Sequence, residues 1–233
     1  MKRGFTLLLL AVLFAVAATA GEVTKIKAGE VVPHAVVHRT GEDVWFTINT
    51  IDDTTFSRMK GRSYKAECTI PRSELRYLTL LHYTLDGQIR RGELVCNRVI
   101  ANDLIQIFRQ LFKARYPIER MVLVDEYGAD DERSMEDNNS SAFNYRPTPT
   151  GRTLSAHSRG MAIDINPLYN PYIKHRDNGT LIAPKAGAEY TDRNKKFPYK
   201  LHSNDLCVKL FLARGFEWGG DYKSIKDYQH FEK

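Results

Sequence analysis

Apolar positions recur three and four residues apart through "ANDLIQIFRQLFKARYP", placing Leu104, Ile105, Ile107, Phe108, Leu111 and Phe112 on one face. That period predicts an amphipathic helix, capped at Asn102 or Asp103 and ended before Pro117. "SNDLCVKLFLARG" predicts a second capped helix, stopped by Gly215. Upstream, "SELRYLTLLHYTLDGQIRRGELVC" holds two strand-like runs about Asp86-Gly87, a two-residue hairpin signal. "RMVLVDEY" reads as a short buried strand and "GMAIDIN" as another. The end, "FEWGGDYKSIKDYQHFEK", reads as a strand, a glycine turn and a last short strand.

Polar stretches separate these elements. Residues 128–152 read as one long loop, and residues 167–202 as loop-rich, punctuated by Pro167, Pro171, Asn178-Gly179, Pro184 and Pro198. Residues 21–70 show no sustained period. Within them "EDVWFTIN" predicts a strand and "TTFSRMKGRSY" a short helix ending near Gly61. Helices and strands mix without regular alternation, which points to α+β rather than a doubly wound sheet.

The first twenty residues stand apart. "MKRGFTLLLLAVLFAVAATA" has a basic start, an apolar run from Phe5 to Ala17 and small residues at Ala18 and Ala20. This is the pattern of an export signal cut after Ala20. The run is short for a bilayer span and no second one follows, so the expected product is periplasmic or secreted, with no stable membrane span. The 233 residues then divide into a signal over 1–20, an N-terminal extension over 21–70 and one domain over 71–233. The formal charge of +6 becomes +4 once Lys2 and Arg3 leave with the signal. With no block of like charges, a nucleic-acid partner is not expected. Of the cysteines, Cys68 and Cys96 flank the hairpin region and are the best candidate pair, while Cys207 sits in an apolar pattern as a small core residue.

Chemistry concentrates in "SAHSRGMAIDIN", residues 155–166. Strand alternation puts Ala162, Asp164 and Asn166 on one face and Met161, Ile163 and Ile165 on the other. An extended path would hold His157 more than ~20 Å from Asp164. Gly160 lets the chain fold back between them. An imidazole nitrogen and a carboxylate oxygen then suit zinc, and a catalytic zinc takes three protein ligands. His230 on the last strand is the third candidate. Asp227, three residues earlier, is of the right type to take a proton from an attacking water. Arg146, just upstream, is a candidate cation for developing oxyanion charge.

In full, Ser155, His157, Gly160, Ala162 and Asp164 spell S-x-H-x-x-G-x-A-x-D, and Asp227 and His230 spell D-x-x-H. With "SMEDNNSSAFNYR" and "DINPLYNPY", the chain from about Leu75 onward resembles the M15 family of zinc D,D-peptidases. The likeness is to its D-alanyl-D-alanine carboxypeptidase and L-alanyl-D-glutamate endopeptidase subfamily. It implies His157, Asp164 and His230 as Zn2+ ligands, Asp227 as general base, Arg146 as the group polarising the scissile carbonyl, and Ser155 as a residue lining the site. It further implies a compact α+β peptidase fold shared with the hedgehog signalling domain, with a small antiparallel sheet and flanking helices. The implied substrate is a peptidoglycan stem peptide, met by a monomer. Carboxypeptidase action is the first expectation. Endopeptidase action, or a non-catalytic zinc module binding cell wall or protein, are the alternatives.

Other patterns carry less. "SRMK" at 57–60 matches the S-x-x-K of serine D,D-peptidases, but no S-D-N or K-T-G accompanies it. No H-E-x-x-H occurs. His34 and His38 lie four apart in a β-branched stretch poorly suited to a metal-binding helix face.

Overall fold

The computed structural model describes residue 23 and residues 25–148 and 153–233; the export signal expected over 1–20 lies outside the described residues. The chain begins with α1 (His34–Thr40), β1 (Thr47–Thr50) and α2 (Asp53–Met59). It continues into the hairpin β2 (Leu75–Tyr83) and β3 (Ile89–Asn97), and then the long α3 (Arg98–Lys113). β1, β2 and β3 form one antiparallel sheet in that order. The face of α3 read from its period is the buried one, from Ile100 to Phe112. Fully burying each such large apolar side chain contributes roughly 1.5–3 kcal/mol.

Residues 32–46 belong to the same core, and Ile51 and Met59 join a second cluster with Leu75, Val95, Leu123, Phe143 and Tyr145. Val32, Val37, Trp45 and Phe46 pack with the sheet and α3. Trp45 also satisfies its indole, donating Nε1–H to Thr40 Oγ1 at 2.9 Å. Individual anchors of this kind leave no period in the sequence, because no regular face is being buried.

Two small three-stranded antiparallel sheets carry the rest. One runs β4 (Ala162–Asp164), β9 (His230–Glu232), β7 (Glu217–Trp218), and the other β6 (Gly179–Ala183), β5 (Tyr172–Arg176), β8 (Lys226–Asp227). The helix α5 (Leu206–Leu212), capped by Asp205, ties them to the core. Its Phe211 meets Phe108 of α3 edge-on and stacks on Phe231 of β9, with ring centroids 4.2 Å apart in the second pair. Phe231 therefore faces the core, and its strand neighbours His230 and Glu232 face the opposite way.

Several expectations change. α3 starts at Arg98, with the Asn97 side chain accepting from Val99 N at 3.1 Å, so Asn102 and Asp103 lie inside the helix. The hairpin loop spans residues 84–88 rather than two residues, because the ladder ends at Tyr83 opposite Ile89. Met121–Leu123 is buried but joins no sheet; Asn139 takes the place of a neighbouring strand, bonding both Val122 N and O at 2.9 and 3.0 Å. A 3-10 helix, Val124–Tyr127, follows. The polar stretch after it contains α4 (Asp131–Glu136), capped by Asp130. β5 and β6 form a hairpin inside the loop-rich region, with Arg176 opposite Gly179. All three cysteines are free, with Cys96 and Cys207 fully buried and Cys68 half-buried. No helix of the described residues is long and apolar enough to cross a membrane.

Candidate active site

His157 sits in a 3-10 helix, Ala156–Arg159, whose first turn is capped by the Ser155 hydroxyl accepting from His157 N at 3.3 Å. The helix ends at Gly160, with φ +67°, where a Cβ would come within 2.6 Å of Asn97 N. Both the left-handed backbone and the close approach exclude a side chain there. The chain reverses at this glycine and enters β4. Across the β4–β9 ladder Asp164 stands directly opposite His230. The turn and the register together bring His157, Asp164 and His230 to one point.

At that point His157 Nε2 lies 3.2 Å from His230 Nδ1 and 3.3 Å from an Asp164 oxygen, and His230 Nδ1 lies 3.1 Å from the other oxygen. The three side chains are buried. An outer partner sets the tautomer of His157. Its Nδ1 donates to the Ala142 carbonyl at 2.6 Å, which leaves Nε2 as an inward lone pair. His230 lies between two carboxylates: its Nδ1–H donates to Asp164 Oδ1 at 3.1 Å, and its Nε2 lies 3.6 Å from Glu232 Oε2, so a metal ion would take the place of the Nδ1 proton. The inward atoms of the three side chains need a positive charge among them, which a proton on His230 or a metal ion can supply. The donor set fits zinc, with borderline nitrogens and one oxygen from three separate elements. The electrostatics agree. Burial pushes Asp164 up, but the His157 and His230 rings hold it well below the usual carboxylate range. Burial pushes His230 down, but Asp164, Glu232 and Asp227 raise it to about 10. The cluster calls for positive charge.

Asp227 lies on β8, opposite Tyr172 of β5. Gly219, in "WGGD", makes room for it: a Cβ there would lie 2.4 Å from Asp227 O and 2.8 Å from Asp227 Cβ. Its Oδ1 is buried with no hydrogen-bond partner among the described residues. A buried acceptor left unsatisfied needs a reason. Burial, with the nearby Asp164 charge, raises its carboxyl to about 6, against the His230, His157 and Arg146 charges. That is close to the range in which proton acceptance near neutral pH is efficient.

Arg146 pairs through Nε with Asp131 of α4, and its backbone N donates to Ser158 Oγ at 2.8 Å. Asp131 also accepts from Asn144 at 2.7 Å. Arg146, Ser155 and the His-Asp-His cluster with Asp227 line one cleft of about 530 Å³. All six residues singled out from the sequence are thus brought together. Four positions are new. Ala142 is used through its backbone carbonyl, which no sequence signal reports. Glu232 was legible, since strand alternation puts it on the face of His230. Asp131 and Lys174 come from segments read as loop.

Residues 148–233 match a family model described as D-alanyl-D-alanine carboxypeptidase. The matched segment contains Ser155, His157, Asp164, Asp227 and His230, and Arg146 lies two residues before it. No curated protein and no solved structure matches the chain.

Proposed function

We propose, from the premise that residues 148–233 place this chain among the M15 peptidases, that it is a zinc-dependent carboxypeptidase releasing terminal D-alanine from peptidoglycan stem peptides. The observation that carries this reading is the convergence of His157 Nε2, His230 Nδ1 and Asp164 beside the unpartnered Oδ1 of Asp227 in one cleft. Those three side chains would hold the Zn2+. Once bound, such an ion supplies Lewis acidity, polarising the scissile carbonyl and bringing the acidity of water near neutrality.

The protein groups do the rest. Asp227 takes a proton from the water as its oxygen adds to the scissile carbonyl carbon. It returns that proton to the amine nitrogen as the C–N bond breaks, releasing D-alanine and a peptide shortened by one residue. Arg146, oriented by Asp131, donates to the carbonyl oxygen as charge develops there. Ser155 holds His157 in place through the cap of its helix. Read with an export signal over 1–20, the monomer works in the periplasm or outside the cell, where stem peptides are found.

The test is digestion of purified peptidoglycan and a stem pentapeptide by zinc-loaded protein, followed by mass spectrometry. Free D-alanine is expected. Cuts between L-alanine and D-glutamate would replace the proposal with endopeptidase action. Intact products from metal-loaded protein would reduce it to a binding module.

A further inference from the structure

Two long-chain cations line the cleft, Arg146 and Lys174. Arg146 is already paired with Asp131. Lys174 is half-buried, and its side chain makes no hydrogen bond or ion pair among the described residues. The same cleft carries four carboxylates, Asp131, Asp164, Asp227 and Glu232. A negatively charged substrate entering it meets repulsion on most sides. It meets one cation whose charge is not already taken by a neighbour.

The strand pairing places that cation. Tyr172 stands opposite Asp227, and Lys174 follows two residues later on β5. Side chains two apart share a face, so Tyr172 and Lys174 both enter the cleft, about 6.6 Å apart along the strand, while Ile173 between them is buried. β8 ends its pairing at Ile173, so no strand covers Lys174 on that side. In a carboxypeptidase substrate the terminal carboxylate lies one residue beyond the scissile bond, a Cα spacing of about 3.8 Å. An ammonium on a flexible four-carbon stem, two residues along the strand from the one opposite the proposed base, can reach across the difference.

Resting on the carboxypeptidase reading, we propose that Lys174 is the specificity-determining residue that binds the free terminal carboxylate of the substrate. It deepens that reading by giving the cleft a reason to accept a chain end over a chain interior.

The experiment compares kcat/KM of wild type, Lys174→Met and Lys174→Arg on a stem pentapeptide with a free C-terminal acid and on the same peptide as its C-terminal amide. Zinc content is measured for each preparation. Wild type should prefer the acid by about 10- to 100-fold, the range for a charge-assisted hydrogen bond. Lys174→Met should lose that preference with unchanged zinc, and Lys174→Arg should keep most of it. A Lys174→Met protein that keeps the full preference overturns the role of Lys174 and leaves the carboxypeptidase reading standing. Equal losses on acid and amide overturn it too, since Lys174 would then read a carboxylate inside the stem peptide. Wild type that releases neither D-alanine from the acid nor D-alaninamide from the amide, yet cuts peptidoglycan elsewhere, overturns both.

Discussion

Two buried polar clusters of this protein are built on opposite principles. In the first, Glu93 of β3 is almost wholly buried, yet each oxygen is satisfied. Arg58 of α2 grips both, Tyr77 donates to Oε2 at 2.7 Å, and Leu123 N donates to Oε1 at 3.3 Å. Charge and hydrogen bonds close on themselves, so the cluster pins α2, the hairpin and the Arg120–Leu123 segment together. In the second, His157, Asp164 and His230 bring metal-ligating atoms to one point, and Asp227, whose Oδ1 has no partner among the described residues, lines the same cleft. A closed cluster supports the fold. An open one holds unsatisfied bonding capacity where a cation and a substrate can use it.

The sharpest test of that contrast is Asp164→Ala. It removes one of the three proposed ligands from the open cluster, so bound zinc and activity should both be lost, as they should on chelation, with recovery on adding zinc only in wild type. Metal analysis and turnover on the same preparation check it. A variant that unfolds while binding zinc at wild-type strength would make Asp164 a structural residue.

Next comes Asp227→Ala. The three ligands remain, so zinc should stay, while kcat falls by about 10²–10⁴ and substrate affinity changes little. Near-normal turnover with full zinc would move the base elsewhere in the cleft.

The closed cluster should respond the other way. Glu93→Ala leaves the Arg58 guanidinium without its buried partner, and breaking such a pair costs ~3–5 kcal/mol of stability. Turnover per folded, zinc-loaded molecule should be unchanged. Denaturant unfolding and kcat together decide it, and a large kcat loss without a stability loss would erase the distinction between the clusters.

The smallest expected effect belongs to His82, a buried histidine outside both clusters. Its Nδ1 donates to the Ile118 carbonyl at 2.8 Å, its Nε2 has no partner among the described residues, and burial lowers its pKa to about 4. The folded form therefore keeps it neutral where the unfolded chain, titrating near 6.5, takes a proton. Its contribution to stability is fully present above pH 6.5 and declines as pH falls toward about 4. Melting temperature measured across that window should fall more steeply for wild type than for His82→Asn, which keeps a donor for Ile118. Parallel curves would show that His82 titrates normally.

Much of the open cluster was legible without coordinates. Spacing alone paired His157 with Asp164 across Gly160, and the D-x-x-H run supplied Asp227 and His230. These are local facts: a tight turn needs a glycine, and strand residues alternate. The long helix and the capped helix near the C-terminus were equally legible, because each buries one continuous face. The closed cluster was not. Glu93 and Arg58 are 35 residues apart, and neither carries a local mark of its partner.

The sequence by itself singled out the residues that converge in the cleft, the α+β character, and the elements whose period matches their burial. The tertiary structure alone decided three other things. It put Asp164 opposite His230 through a strand register. It satisfied Val122 with the side chain of Asn139 in place of a strand, and it left the cysteines unpaired. It also set Lys174 unpaired in a cleft of carboxylates while tying Arg146 to Asp131. The physical reason is common to all three. Period and turn chemistry act between residues a few positions apart, whereas partner choice depends on which distant groups the folded core brings into reach.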